Sequence, residues 1–260
     1  MTRSNILIIG GGNMGGAIAR ALAGDARYTV TVVEQDEAKR ATLGALGCET
    51  YEALADVKPA DMAILAIKPQ QFAAMRDALS AMKLPLLISI MAGIPLAALR
   101  PVSPHIVRAM PNLPAMIGES MTVLCAPEAA KELRSAVTQL FEAIGRVAWV
   151  EEEEALHAVT AISGSGPAYL FAFMEAMQHA ACLHGLSPKL ARELVTQTVK
   201  GAALLASQST DDAATLRAQV TSKGGTTEAA LGAFAQGNLT GLVKSAVDAA
   251  SRRSSELKMQ

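Results

Sequence analysis

The chain has 260 residues, 51% of them hydrophobic and 18% charged, with 23 basic against 24 acidic side chains. That length admits one large domain or two modest ones with a sizeable core, so a peptide scaffold and a disordered chain are excluded. A net charge of -1 gives no field to draw in nucleic acid or an anionic membrane, and neither is expected as a partner.

Between Asn5 and Val150, short β-branched apolar runs alternate with longer stretches of helical periodicity, the pattern of parallel strands covered by helices on both faces. Strands are predicted at residues 5–9, 29–34, 62–67, 86–90, 106–109, 121–125 and 147–150, and helices at 14–23, 37–46, 70–82 and 128–144. After Val150 the strand signals stop, and Ala, Gly and Ser join long helical runs at 155–184, 188–207 and 239–258. The expected class is α/β: a parallel-sheet domain over residues 1–150, then an all-helical domain over 151–260. The acidic run Glu151 to Glu154 at the seam reads as charges favoured by the dipole at a helix start rather than as a metal site. Small residues on the later helices let backbones approach closely, within the chain or against a second copy.

Cys48, Cys125 and Cys182 stand far apart without CxxC or Cys/His ligand spacing, so they read as reduced, core-packed thiols. Arg3, the apolar run 6–9 and Ala21-Leu22-Ala23 imitate a secretory signal. The run stops at Gly10, short of the roughly 7 to 15 apolar residues such a signal needs. The longest uncharged stretch, 84–99, is broken by Pro85, Ser89, Gly93 and Pro95 and is shorter than the roughly 20 residues that span a bilayer. A cytoplasmic protein is expected.

Directly after the first strand stands Gly10-Gly11-Gly12-Asn13-Met14-Gly15-Gly16, which satisfies GxGxxG through Gly10, Gly12 and Gly15. Glycine is needed there because the chain must turn tightly, admit a pyrophosphate against bare backbone and pack the helix close to the strand. The N–H groups and positive dipole end of that helix then face the diphosphate. Glu34, at the end of the second predicted strand, stands where an acid accepts from adenine-ribose hydroxyls. The strand 62–67 runs into Lys68-Pro69 and the strand 86–90 into Met91-Ala92-Gly93, so both end at the carboxyl edge where open α/β sheets bind ligands.

Three further segments carry signals. Arg108-Ala109-Met110-Pro111-Asn112-Leu113-Pro114 sets an amide between prolines in a rigid turn. Ser163-Gly164-Ser165-Gly166-Pro167 interrupts a helical run with helix breakers, which favours a close approach of backbone to ligand over a plain kink. Thr221-Ser222-Lys223-Gly224-Gly225-Thr226-Thr227 precedes a helical run from Glu228 and offers N–H donors to a carboxylate or phosphate, or else simply caps the helix. His105, His157, His179 and His184 have no nucleophile or metal-ligand spacing, and GxSxG, HExxH and a Walker lysine are missing, so little acid–base machinery and no metal are expected.

Taken in order, GGGNMGG, AIKP, RAMPNLP, AISGSGPAYLF and VTSKGGTTEAAL resemble the pyrroline-5-carboxylate reductases over essentially the whole chain; SGSGPAY together with SxGGTT is the specific pairing. The resemblance implies a Rossmann-type dinucleotide-binding domain and a helical substrate-binding and dimerisation domain. It implies reduction of 1-pyrroline-5-carboxylate to L-proline by hydride from NADPH or NADH, the last step of proline biosynthesis. Thr227 then places its hydroxyl near the imine nitrogen, while Ser222, Gly224, Gly225 and Thr226 hold the substrate carboxylate with it. On the cofactor side the resemblance adds Asn13, Met14, Ala66, Lys68, Pro69, Ala92, Gly93, Asn112, Ser163, Gly164, Gly166 and Pro167 to the fingerprint and Glu34. It also implies a homodimer, gathered in many members into a decamer of five dimers. Two departures stand out: Lys223 replaces a common proline, and Ala218 a common aspartate. Glu34 read alone favours NADH, whereas members often use NADPH, so dual use is expected. The alternatives are a hydroxyacid-dehydrogenase-type enzyme, whose expected helical lysine is missing from 155–184, and a nucleotide-sensing regulator, whose basic DNA-reading element is not visible.

Overall fold

The computed structural model describes residues 3–127 and 131–257; the predicted helix start at residue 128 and helix end at Lys258 lie outside them. Eight strands form one sheet in the order β3-β2-β1-β4-β5-β6-β7-β8. They are β1 (Ser4–Ile9), β2 (Tyr28–Val33), β3 (Glu49–Tyr51), β4 (Met62–Leu65), β5 (Leu86–Ser89), β6 (His105–Met110), β7 (Ser120–Cys125) and β8 (Gly145–Val150). Strand order reverses at β1, which pairs in parallel with both β2 and β4.

Alternation along β1 shows why the strands read as unbroken apolar runs. Ile6 and Ile8 enter one core with Ile18 and Leu22 of α1 (Asn13–Ala23), Leu43 of α2 (Glu37–Gly44) and Phe141 of α5 (Lys131–Glu142). Leu7 and Ile9 enter the other core with Phe72 and Leu79 of α3 (Pro69–Ala81) and Leu99 of the short α4 (Leu96–Leu99). A parallel sheet covered on both faces needs both sets apolar.

The sheet is parallel, as expected, except at one pairing near its far edge. β7 runs antiparallel to β6, and β8 runs parallel to β7. Only residues 111–119 separate β6 from β7, and a parallel crossover takes about a dozen residues or more, so the chain must turn straight back.

After β8 come α6 (Ala155–Val159), a π-helical turn (Thr160–Gly164), α7 (Gly166–Leu183), α8 (Pro188–Gln208), α9 (Ala213–Gln219), α10 (Thr226–Gln236) and α11 (Leu239–Glu256). The seam acids stand directly before α6, with Glu154 as its N-cap, and two of them also reach the sheet domain. Glu151 pairs with Arg134 at 2.7 Å, and Glu153 pairs with the buried Arg108 at 2.8 Å while accepting from Leu96 N–H at 2.7 Å. These bonds fasten the chain to the sheet domain, and the one from Leu96 places the Glu153 carboxylate at the start of α4.

By compactness the chain forms two units, Met1–Pro167 with Ala249–Gln260, and Ala168–Asp248. The first contains the sheet and both large cores. In the second, among described residues, only Ala191 and Val195 are buried apolar side chains, although Phe173 and Phe234 meet with ring centroids 6.1 Å apart. No described helix is long and apolar enough to cross a membrane.

Candidate active site

All the residues predicted to bind cofactor lie in the first unit, and all five predicted to bind substrate lie in the second. On the first unit, β1 delivers the chain to Gly10 at φ 103°, a left-handed conformation open to glycine, where an added Cβ would stand 2.6 Å from the Ala66 carbonyl oxygen. A Cβ on Gly15 would stand 1.9 Å from the Gly10 carbonyl oxygen and 2.9 Å from the Ala66 side chain. These contacts explain Gly10, Gly15 and Ala66 as the packing that brings α1 hard against β1 and β4.

Gly12 is different, because nothing lies within 4 Å of where its Cβ would be. It is the N-cap of α1 and gives no side-chain cap, and the first turn holds no acid. The first helical bond runs from Gly16 N–H to the Gly12 carbonyl at 2.7 Å, so the N–H groups of Asn13, Met14 and Gly15 precede the helical ladder. Uncapped donors beneath open space fit a diphosphate. A cavity of about 570 Å³ adjoins them, lined by Gly11, Gly12, Asn13, Asp36, Lys39 and Met116 among others.

Glu34 folds back onto the glycine turn. One carboxylate oxygen accepts from Gly11 N–H at 2.7 Å and the other from Asp36 N–H at 3.0 Å. Sequence reasoning missed Gly11, whose Cβ would stand 3.2 Å from Glu34 and 3.0 Å from Leu43.

Lys68 and Pro69 start α3 directly beyond β4: Lys68 N–H donates to the Gln71 side chain at 3.0 Å, its own side chain is exposed, and Pro69 takes the first helical position, where a missing N–H costs nothing. Beyond β5, Ala92 leads to Gly93 at φ 80°, where a Cβ would stand 2.8 Å from the Leu257 side chain. Leu257 follows the end of α11, and that end is also fastened by a 2.9 Å bond between His157 and Ser254.

Asn112 is used at both ends of its amide. Its Nδ2 donates to the Ser163 carbonyl at 3.0 Å, and its Oδ1 accepts from Met121 N–H at 3.0 Å. In a continuous α-helix the Ser163 carbonyl would accept from residue 167, but Pro167 has no N–H, and the chain widens into the π turn with Ser165 N–H bonded to the Thr160 carbonyl at 2.8 Å. The Asn112 amide fills the vacant partner's place. Gly164 lets Met110 approach, since a Cβ would stand 2.7 Å from the Met110 methyl, and Gly166 faces open space.

On the second unit, α10 also begins at a glycine N-cap, Gly225, without a side-chain cap. Gly225 N–H is spent on the Ser222 carbonyl at 3.0 Å, and Gly224, at φ 73°, donates to a Glu228 carboxylate oxygen at 2.7 Å. The first helical bond runs from Ala229 N–H to the Gly225 carbonyl, so the donors left at this helix start are Thr226, Thr227 and Glu228 N–H, with the half-buried Thr227 hydroxyl bonded to no described residue. Glu228 was missed, though an acid at the third helical position is a capping signal.

Burial pushes the Cys48 and Cys125 thiols above their ordinary pKa, as core cysteines behave. Among described residues no cluster of three His, Cys, Asp or Glu side chains has the geometry to hold a metal.

A strand, a glycine turn and an uncapped helix at the point where strand order reverses define a dinucleotide-binding protein of the Rossmann type. Residues 153–257 match the family model for pyrroline-5-carboxylate reductase dimerisation, and residues 5–93 that for NADP oxidoreductase, coenzyme F420-dependent. The pyrroline-5-carboxylate reductase of Haemophilus influenzae is 42% identical, with 99% of both chains covered. The solved reductase from Coxiella burnetii is 36% identical with a TM-score of 0.88, covering 98% of this chain and 99% of that one. A Plasmodium falciparum pyrroline carboxylate reductase solved with NADP bound is 27% identical with a TM-score of 0.85, covering 99% of each. The chain belongs to the pyrroline-5-carboxylate reductase family.

Proposed function

We propose that this chain reduces 1-pyrroline-5-carboxylate to L-proline with a nicotinamide dinucleotide, closing proline biosynthesis. The observation that carries the reading is the pair of helix starts left uncapped behind glycine, α1 on the first unit and α10 on the second. Each presents N–H donors and a positive dipole end to an anion, which suits a diphosphate at one and a substrate carboxylate at the other.

The bound cofactor supplies the hydride. The chain's part is positioning: the N–H groups of Asn13, Met14 and Gly15 bind the diphosphate, and the backbone at Lys68-Pro69 and Ala92-Gly93 borders the nucleotide at the carboxyl ends of β4 and β5. Asn112 holds the Ser163 to Pro167 turn in shape beside it. Thr226 and Thr227 N–H bind the carboxylate, within the loop that Ser222, Gly224 and Gly225 form. The Thr227 hydroxyl donates toward, or accepts from, the imine nitrogen. A protonated cyclic imine is already electrophilic, so orientation supplies most of the acceleration.

The helical unit's scarcity of buried apolar side chains supports a homodimer built through it. We propose further that five such dimers gather into a decamer and that the enzyme is cytoplasmic. The decisive test is oxidation of NADH or NADPH followed by nicotinamide absorbance. Oxidation that depends on added pyrroline-5-carboxylate supports the assignment, and a flat trace with both nucleotides overturns it.

A further inference from the structure

We infer that Glu34 makes this chain bind NADH more tightly than NADPH, by fixing an acceptor-only group where the adenine ribose lies; the inference rests on the dinucleotide reading of the α1 turn. Its basis is the way the carboxylate is held. Both oxygens accept backbone N–H bonds, from Gly11 at 2.7 Å in the turn after β1 and from Asp36 at 3.0 Å in the turn after β2. Rotating the side chain toward solvent breaks both. Glycine at position 11 eases so close a seat, since a Cβ there would press on Glu34 at 3.2 Å.

Each carboxylate oxygen has capacity for a further donor after these two bonds. A ribose 2'-hydroxyl has a proton to donate. A 2'-phosphate is mostly dianionic at neutral pH and presents acceptors only, so beside Glu34 it meets like charge and gains no hydrogen bond.

The nearby cations do not reverse this. Arg40 has its Nη1 bound to the Glu34 and Gln35 carbonyls, both at 2.7 Å, and its Nη2 3.5 Å from Glu52. Its guanidinium thus fastens the end of β2 and is not held out to a ligand. Lys39 is exposed and stands 3.9 Å from Asp36, which adds a second negative charge to the same rim. Arg20 also lines the cavity, but from seven residues along α1 beyond Asn13, about 10 Å by helical rise.

Calorimetric titration of the whole protein with NADH and with NADPH, without substrate, tests this apart from turnover. The expected result is at least about a tenfold tighter Kd for NADH, which is 1.4 kcal/mol. Glu34→Gln, which removes the charge at nearly constant shape, should narrow that ratio by about tenfold or more. Arg40→Ala should change both Kd values in the same proportion. Equal or tighter NADPH binding by the wild type overturns the inference without any variant. So does an unchanged ratio in a folded Glu34→Gln protein, or a selective loss of NADPH in Arg40→Ala. Failure to bind either nucleotide would instead overturn the dinucleotide reading itself.

Discussion

Gly12→Ala should separate binding from folding at the glycine turn. Gly12 has φ -64°, which any residue adopts, and its Cβ direction is open. As an N-cap, alanine costs roughly 0.5 to 1 kcal/mol relative to glycine. Restricting the unfolded chain returns about 0.4 to 1 kcal/mol. Stability should therefore stay within about 1 kcal/mol, or roughly 2 to 4 °C in Tm for a chain of this size. The methyl nevertheless fills the side from which a diphosphate reaches the N–H groups of Asn13 and Met14. Losing one or two charge-assisted bonds at about 1.5 kcal/mol each lowers nucleotide affinity about ten- to hundredfold. Gly15→Ala is the contrast, since its Cβ collides with the Gly10 carbonyl and the Ala66 side chain. Overpacking of this kind costs about 1 to 3 kcal/mol or more, so both stability and affinity should fall. Thermal unfolding and calorimetric titration of the two variants measure this directly. A Gly12→Ala protein that binds nucleotide like the wild type, or a Gly15→Ala protein that melts like it, would refute the division of labour between the two glycines.

Thr227→Val should lower turnover about five- to thirtyfold through loss of one hydrogen bond worth about 1 to 2 kcal/mol, and unchanged steady-state kinetics would return Thr227 to a packing role. Asn112→Leu leaves the Ser163 carbonyl and Met121 N–H without their partner, at about 1 to 3 kcal/mol each, and should appear as a lowered denaturant midpoint. Glu151 has its pKa lowered by its hydrogen bond to Arg134, so its contribution is complete above the unfolded carboxyl value and is lost as pH falls through the folded one. Urea midpoints followed from about pH 6 to pH 3 should therefore fall less steeply for Glu151→Gln than for the wild type. Sedimentation at micromolar concentration should find a dimer or larger, and a stable monomer would count against the oligomer.

What the sequence made legible was local. β1, the glycine turn and α1 follow one another within 23 residues, and each is announced by its own residues. β3 escaped notice because three residues, Glu-Thr-Tyr, cannot display a period. The direction of β7 was not in its side chains, since alternation is the same either way along a strand; the signal was the short link 111–119. Asn112 was picked out as a polar residue between prolines, but its partner stands 51 positions away, and only the fold brings an amide to the carbonyl that Pro167 leaves without a donor. Glu34 stands one residue beyond the end of β2, close to the strand end that the sequence indicates, while its seat on Gly11 depends on contact between residues 23 apart.

The return of Ala249–Gln260 to the sheet-bearing unit bears on how the protein comes off the ribosome. Domains generally fold as units as synthesis proceeds, the N-terminal one first. Here the first unit includes Ser254, bonded to His157, and Leu257, set against Gly93, so it stays incomplete until the last helix has emerged. All 81 residues of the other unit are synthesised before that final turn can dock. A nascent chain arrested anywhere before Ala249 therefore carries a nucleotide-binding unit that lacks the Leu257 contact to the loop after β5, and its protease resistance should rise only once residues 249–257 have emerged.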